Sequence, residues 1–244
     1  MSLLNGITRL ASASLDLLYP PRCVGCNKEG RLLCSTCLDS LPRLVAPYCL
    51  RCAQPIAHGD TCQRCLESPL DIDGIRAPFL MEGAIREAVH RLKYNNLRAI
   101  APILGGLLAD YLDAQQLPMQ APSAGSGQVL VPVPMHHARE RRRGYNQAYL
   151  LAKEAGKRLG LPVIPQILSR LSNTPPQTKS FSAQERKANV RGSFRCPHPF
   201  LVNGLEVVLV DDVCTTGATL EACAIALKEA GAASVWGLTL AREA

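Results

Sequence analysis

Along the C-terminal two thirds of the chain, short apolar runs and amphipathic segments follow one another in a regular order. Short apolar runs predict strands near 129–133, 162–168, 205–210 and 234–240, and amphipathic patterns predict helices at 81–94, 97–113, 145–159 and 218–230. The apolar run 207–210 has no polar alternation, which is typical of a central parallel strand covered on both faces. Strands that alternate with helices predict an α/β domain with a parallel sheet flanked by helices.

Two segments depart from this pattern. Residues 1–19 carry scattered apolar positions interrupted by polar residues, which predicts a short amphipathic helix and not a signal peptide. Residues 114–128 have the Pro, Gly and Ser content of a loop. The sequence lacks a run of about 18 apolar residues, so we expect no membrane span and a cytoplasmic protein.

Positive charge is concentrated in one part of the chain. The net charge is +7, yet residues 139–195 contain 13 Lys and Arg against three acidic residues, which gives this segment +10 and the remainder −3. A local basic zone predicts an anionic ligand, either a polyphosphate or a nucleic acid or both.

Four C-x-x-C pairs account for eight of the 11 cysteines and lie within 43 residues. Zn²⁺ prefers four thiolates in a tetrahedron, so this spacing predicts zinc. A disulfide framework is the alternative, which a reducing compartment opposes, and redox chemistry at the C-x-x-C pairs is a weaker one. The pairs are Cys23/Cys26, Cys34/Cys37, Cys49/Cys52 and Cys62/Cys65.

The sequence around these pairs repeats. Cys34-Ser-Thr-Cys37-Leu-Asp-Ser matches Cys62-Gln-Arg-Cys65-Leu-Glu-Ser, so we predict two units, each with a knuckle, a hairpin and a second pair at a helix start. The repeat favours two sequential Cys₄ sites with structural zinc that folds the region, although contact with nucleic acid or a partner is the alternative role. We predict an N-terminal helix and double zinc ribbon at 1–70 and the α/β domain at 71–244.

Two adjacent carboxylates, Asp211 and Asp212, follow the predicted strand 205–210, where open α/β sheets bind their ligands. A hydroxyl-rich loop comes next, and its glycine and the free amides of the following helix N-terminus suit a phosphate. The acids suit ribose hydroxyls or a divalent cation, so a 5-phosphorylated ribose carrying pyrophosphate fits best. An ordinary strand–turn–helix is the alternative. The loop consists of Thr215, Thr216, Gly217, Ala218 and Thr219.

Two further basic segments follow predicted strands. Residues 134–143 are predicted to form a loop at a helix start, where arginines oppose the helix dipole, and this favours a functional role over a solvated helix. Thr174–Phe194 is a long basic connection that we expect to be a lid over the ligand, with disorder as the alternative. The candidate side chains are His136, His137, Arg139 and Arg143 in the first segment and Gln177 and Arg186 in the second.

Several motifs occur in the order found in one protein family, and over nearly its whole length the chain resembles ComF/GntX-type proteins. The stretch from Asp211 to Thr219 resembles the phosphoribosyl-pyrophosphate (PRPP) motif of type I phosphoribosyltransferases, with Cys214 at a position that is usually aliphatic. The other motifs are the four cysteine pairs, Leu92-Lys93-Tyr94, Arg143-Gly-Tyr-Asn-Gln147, Gln177 and Glu185-Arg186-x-x-Asn189.

The resemblance implies a type I phosphoribosyltransferase-like sheet behind a zinc-ribbon domain, and a link to natural competence or to the use of external DNA. It implies that Asp211 and Asp212 hold the ribose hydroxyls, that the 215–219 loop holds the 5-phosphate, and that Mg²⁺ and the 135–143 segment take the pyrophosphate. The leading hypothesis is a PRPP-dependent transferase with an unidentified acceptor. The alternative is a non-catalytic protein that senses PRPP and binds single-stranded DNA or competence-machinery proteins.

Overall fold

The computed structural model describes residues 20–115, 127–171 and 192–244. The predicted N-terminal helix at 1–19 and most of the predicted loop at 114–128 lie outside these residues. The predicted lid lies almost entirely outside them too, so the roles of Gln177 and Arg186 stay predictions.

The described residues contain five short strands and, near the end of the chain, two long strands. The strands are β1 (Gly74–Arg76), β2 (Phe79–Leu80), β3 (Gln128–Pro132), β4 (Ser169–Arg170), β5 (Phe194–Arg195), β6 (Glu206–Cys214) and β7 (Ser234–Arg242). The helices are α1 (Ser35–Asp39), α2 (Gln63–Glu67), α3 (Gly83–Tyr94), α4 (Ala101–Gln115), α5 (His137–Arg143), α6 (Gln147–Leu159) and α7 (Ala218–Glu229). Short 3₁₀ turns occupy Arg98–Ile100, Pro165–Ile167 and Pro199–Leu201.

The central sheet is parallel and has β6 in its interior. Its order is β1–β7–β6–β3, with β2 also paired to β7, while β4 and β5 form a separate antiparallel pair. Val208 and Val210 of β6 join the hydrophobic cluster that contains α3, α4 and α6, whereas Val207 and Leu209 join the cluster that contains α7. Both faces of β6 are therefore covered, which explains its apolar run and confirms the predicted central parallel strand.

Most predicted elements are present with shifted ends, but the strand predicted at 162–168 is wrong. Only a single bridge between Val163 and Leu130 forms there, and a 3₁₀ turn at Pro165–Ile167 follows it. Pro162 and Pro165 lack the N–H groups that a paired strand must donate, which explains the interruption. The strands β1 and β2 were not predicted, because they are only three and two residues long.

The two cysteine-rich units pack against opposite faces of the sheet. The first cysteine unit (residues 22–41) buries Cys23, Leu33 and Cys37 in the cluster that contains α3 and α4. The second cysteine unit (residues 48–68) buries Cys49 and Cys52 in the cluster that contains α7. The units therefore share their apolar cores with the sheet, and the domain boundary at residue 70 stays a prediction.

Within the described ranges, no helix combines the length and the apolar content that a membrane crossing requires.

Candidate functional site

Each cysteine unit brings four thiols into one cluster. The four Sγ atoms of Cys23, Cys26, Cys34 and Cys37 lie within 4.8 Å of one another, and so do those of Cys49, Cys52, Cys62 and Cys65. The Sγ–Sγ distance is 3.6 Å for Cys26/Cys34 and 3.7 Å for Cys52/Cys62. Tetrahedral zinc with Zn–S bonds of about 2.3 Å places its sulfurs about 3.8 Å apart, whereas a disulfide needs about 2.05 Å. The clusters fit two sequential zinc sites, as predicted, and exclude the disulfide framework.

Local backbone structure forms these clusters as the repeat predicts. Antiparallel bridges close a hairpin in each unit, and Cys34 and Cys62 cap the starts of α1 and α2. Burial would raise the pKa of Cys23, but N–H groups of the backbone at Cys34, Cys26 and Gly25 outweigh it and lower this pKa to about 6. Since metals bind the thiolate, these amides favour the ligand form.

The two acids occupy an opening in the sheet that unequal strand lengths create. β6 is longer than predicted, so Asp211 and Asp212 lie inside it and not after it, which corrects the predicted position. Pairing of β3 with β6 ends at Val210, while β7 stays paired with β6 as far as Cys214. One edge of β6 is therefore open from Asp211 onward, and this opening is the crevice expected at the carboxyl ends of parallel strands.

Asp212 is buried beside a lysine. It is 3 % exposed, and its Oδ2 atom lies 2.7 Å from Lys93 Nζ at the end of α3. Its Oδ1 atom accepts a hydrogen bond from Val213 N at 2.9 Å, while Oδ2 lies beside the lysine and has no further hydrogen-bond donor among the described residues. A buried carboxylate oxygen in this state has acceptor capacity for a ligand hydroxyl.

Asp211 is partly exposed at the opening and has a perturbed pKa. Burial first, and then the neighbouring Asp212 carboxylate, raise the pKa of Asp211 well above its ordinary value. The N–H of Asp212, which lies 2.9 Å from Asp211 Oδ1, and the charge of Lys93 oppose the shift. The charge of Lys93 does not offset these effects, so a cation or hydrogen-bond donor from a ligand would stabilise the ionised pair.

Arginines also line this cavity, which has a volume of about 220 Å³. Arg143 donates to Gln147 Oε1, and its guanidinium carbon lies 5.6 Å from the centre of the Tyr94 ring. The Asp211 cavity is therefore lined by both carboxylates and guanidinium groups. Its lining residues are Lys93, Tyr94, Val133, Pro134, Met135, Arg139, Arg143, Gln147, Arg170, Asp211, Asp212 and Thr219.

The segment that follows β3 is mostly helix and not the predicted loop. α5 spans His137–Arg143, and Gly144 ends it with a φ of 81°. The arginines at 141–143 consequently lie in the last helical turn, where the helix dipole favours cations. The dipole argument that assigned them to a ligand is wrong, and only their position at the cavity supports that role.

The structure brings together five of the predicted site residues: Asp211, Asp212, Thr219, Arg139 and Arg143. Other predicted residues have different surroundings. His136 caps α5, because its Nδ1 atom accepts from Ala138 N at 3.1 Å, and His137 lines an adjacent, more apolar cavity.

The start of the 215–219 loop faces a different part of the molecule. Thr215 and Thr216 line a cavity against the second cysteine unit. Gly217 has a φ of 78°, as its predicted role requires, and precedes α7. Ala218 N donates to Thr216 Oγ1 at 3.3 Å, so the loop closes on itself at the helix start.

Sequence reasoning assigned no site role to Lys93, Tyr94, Gln147 or Arg170, all of which line the Asp211 cavity. Three of them belong to the motifs Leu92-Lys93-Tyr94 and Arg143-Gly-Tyr-Asn-Gln147. These motifs were recognisable in the sequence, but they did not indicate a site role. The contact between residues 93 and 212 depends on tertiary packing, which a local pattern does not reveal.

Comparison with known proteins gives matches over both parts of the chain. A double zinc ribbon domain matches residues 14–66, and a phosphoribosyl transferase domain matches residues 141–243. DNA utilization protein YhgH of Salmonella typhimurium is 34 % identical over 206 residues, which cover 83 % of this chain and 87 % of that protein.

Two further relatives have names that refer to competence. Competence protein F of Haemophilus influenzae is 29 % identical, with 90 % of this chain and 97 % of that protein covered. Competence protein ComFC of Bacillus subtilis is 28 % identical, with 88 % and 86 % covered.

Among solved structures, a glutamine PRPP amidotransferase from B. subtilis matches with a TM-score of 0.38 and 22 % identity. The match covers 58 % of this chain and only 26 % of that one. The predicted fold class is confirmed by the phosphoribosyl transferase domain match and the two zinc-ribbon-like Cys₄ sites.

Purified protein should contain about two Zn²⁺ per chain, because each cysteine unit supplies four thiolates to one ion. The double variant Cys49→Ser/Cys52→Ser should contain about one. Cys196→Ser, outside both clusters, is the control and should keep two. Elemental analysis by plasma mass spectrometry measures the ratio, and one Zn²⁺ or none in the wild type would contradict two sites.

Asp211→Asn should raise the Tm at pH 7. The pKa of Asp211 is higher in the folded chain than its ordinary value of 3.8, so its ionisation weakens folding as pH rises above about 4. The asparagine keeps an acceptor for Asp212 N–H and carries no charge. Melting curves from pH 4 to 8 should give a difference that vanishes toward pH 4, whereas exposed Asp39→Asn should melt like the wild type. A lower Tm for Asp211→Asn at pH 7 would refute the assignment.

Proposed function

The chain belongs to the ComF/GntX family, in which a double zinc ribbon accompanies a phosphoribosyltransferase domain, and we propose that it binds PRPP and transfers its phosphoribosyl group to an acceptor. Relatives named for competence and for DNA utilization support a role in the uptake or use of DNA. The acceptor in this proposal is a nucleophile of unidentified structure.

The observation that carries the proposal is that carboxylates and guanidinium groups line one cavity, the Asp211 cavity. PRPP offers a partner for each, since its ribose has hydroxyl donors and its pyrophosphate has negative oxygens. Asp212 Oδ2 is buried beside Lys93 and has no further hydrogen-bond donor among the described residues, so a ribose hydroxyl can donate to it. Arg139 and Arg143 present planar donor groups that match pyrophosphate oxygens.

The donor set also fits Mg²⁺. Asp212 is already paired with Lys93, so the partly exposed carboxylate of Asp211 is the oxygen ligand that the acidic pair offers to a divalent cation. When bound, Mg²⁺ would neutralise part of the pyrophosphate charge. The carboxylate of Asp211 would then be held ionised despite its raised pKa, because a nearby cation lowers that pKa.

In the proposed reaction, the C1–O bond to pyrophosphate breaks, a bond from the acceptor to C1 forms, and the acceptor loses one proton. Positive charge develops on the ribose ring as the bond loosens, next to the carboxylates of Asp211 and Asp212. Negative charge develops on the departing pyrophosphate, near Arg139 and Arg143. These residues position the substrate and stabilise charge, and the scheme needs no covalent nucleophile from the protein.

A second candidate function is PRPP sensing by a DNA-binding protein. A basic cavity next to the Asp211 cavity combines arginines with one exposed tyrosine, Tyr94; proteins that bind single-stranded nucleic acids use cations for phosphate contact and aromatic rings for base stacking. Tyr94 is 66 % exposed, and Arg98 lies 4.4 Å from the centre of the Tyr145 ring. The lining residues are Lys93, Tyr94, Asn96, Arg139, Arg142, Arg143 and Tyr145.

Mg²⁺-PRPP should bind to the wild type in isothermal titration, and Asp211→Asn/Asp212→Asn should lose about 100-fold or more in affinity. Each charged hydrogen bond contributes roughly 1.5–3 kcal/mol, and the double variant removes two charged acceptors. The control is Asp110→Asn, because Asp110 is exposed in an ion pair with Arg158 and lies outside the cavity. Equal affinity in wild type and double variant would refute the site.

Pyrophosphate release separates the transferase from the sensor. Wild type with Mg²⁺-PRPP and a panel of bases, amines and nucleic acids should release pyrophosphate above the rate without acceptor, and Arg139→Gln should lower that rate about tenfold or more. If no acceptor raises the rate while single-stranded DNA binds with a steep salt dependence, the sensor is favoured. Arg142→Gln should then weaken DNA binding without changing PRPP affinity, because Arg142 lines only the basic cavity.

A further inference from the structure

We infer that the second cysteine unit forms the outer wall of the phosphate end of the PRPP site, and that its Arg64 supplies the cation for the 5-phosphate. This inference rests on the proposed function, because it extends the same site to a residue of the zinc ribbon.

The 215–219 loop and the second cysteine unit line one cavity. Thr215 and Thr216 face Gln54, Gln63 and Arg64 across it, and its volume is about 500 Å³. Two of these residues, Gln63 and Arg64, belong to α2, which begins directly after the metal-site residue Cys62. Among the described residues that line this cavity, none belongs to the first cysteine unit. The phosphate loop therefore has the second unit as its neighbour on this side.

A cation would strengthen phosphate binding at the loop, and the loop itself contains none. The monoester carries a charge of about −1.5 to −2 at neutral pH, whereas residues 215–219 offer only hydroxyl groups and backbone amides. In the part of the chain that the structure describes, the positive side chains that line the shared cavity are Arg64 and Arg242. These two are therefore the candidates to supply the charge if the phosphate binds at this loop.

Arg242 already has a structural role. It is 1 % exposed, its Nη1 atom donates to Cys214 O at 2.9 Å, and its Nη2 atom donates to Gln54 Oε1. These bonds connect the residue before the loop to the second cysteine unit and fix the guanidinium group in the interior. Arg64 is exposed at the cavity, so it is the arginine that can reach a ligand.

The backbone of the loop is held against the same unit at a second point. A Cβ atom on Gly217 would lie 2.8 Å from Ile75 Cδ1, so the loop packs closely on Ile75. Ile75 N in turn donates to Arg51 O at 2.9 Å, and Arg51 lies between the two knuckle cysteines Cys49 and Cys52. The second unit and the phosphate loop thus have a fixed relative position.

Two residues of opposite charge line the cavity, so the inference predicts opposite changes in phosphate affinity when each is replaced. A zinc ion with four thiolates is a negative centre, and Arg64 stands between two of its ligands, Cys62 and Cys65, in the sequence. Glu67 lines the same cavity with a negative charge, and its Oε1 atom accepts from Gln63 Nε2 at 2.8 Å. Removing Arg64 should therefore weaken phosphate binding, and removing the charge of Glu67 should strengthen it.

Isothermal titration with ribose 5-phosphate and with Mg²⁺-pyrophosphate tests this assignment on the zinc-loaded full chain. Arg64→Gln should weaken ribose 5-phosphate binding about tenfold, Arg64→Lys should keep most of it, and Glu67→Gln should tighten it about two- to threefold. Arg64→Gln should leave Mg²⁺-pyrophosphate affinity unchanged, while Arg139→Gln should lower it. Exposed Arg31→Gln in the first cysteine unit is the matched control and should change neither affinity.

The outcomes separate this inference from the proposed function. If wild type binds PRPP and ribose 5-phosphate and Arg64→Gln binds both equally well, the inference is wrong and the proposed function stands. The inference is also wrong if Arg31→Gln weakens binding as much as Arg64→Gln, because the effect would then come from overall charge. If wild type binds neither compound, the proposed function fails, and the inference fails with it.

Discussion

The site depends on a difference in strand pairing, since β3 and β7 pair with β6 over different lengths. β3 stops pairing with β6 at Val210, while β7 accompanies β6 for four residues more, to Cys214. The backbone at Asp211 and Asp212 is therefore fixed by β7 on one side and open on the other. Because a sheet edge inside a covered domain is partly shielded from water, charges there act strongly on each other and on a ligand. Lys93, Arg139, Arg143 and Thr219 line the cavity at this open edge together with the two acids.

The cysteine units are integral parts of the domain. Each contributes buried side chains to a different face of the sheet, so zinc and apolar burial stabilise the same structure from both sides. Packing on the sheet also compensates for the small size of each cysteine unit, since about twenty residues cannot build a hydrophobic core alone. Arg51 illustrates the integration, because its guanidinium group donates to the carbonyls of Leu70, Ile72 and Asp73 at the start of the sheet domain.

The sequence predicted those features that depend on local order. Adjacent residues alone predict the central strand at 207–210, the turn at Gly217 and the two cysteine clusters. The structure contains that strand, a positive φ at Gly217 and both clusters. Prediction failed where distant residues or competing local rules decide. Prolines broke the apolar segment 162–168 despite its composition, and residues 93 and 212 meet only after α3 packs beside β6.

The unequal burial of the two metal clusters has a kinetic consequence. Cys26 of the first unit is exposed, whereas Cys49 and Cys52 of the second are 0 % exposed. Oxidants and competing chelators therefore have a direct route to the first cluster, while in the second the most accessible ligand, Cys62, is only partly exposed. Under oxidative stress the two ions should leave in order, and the cluster that borders the 215–219 loop should lose its metal last.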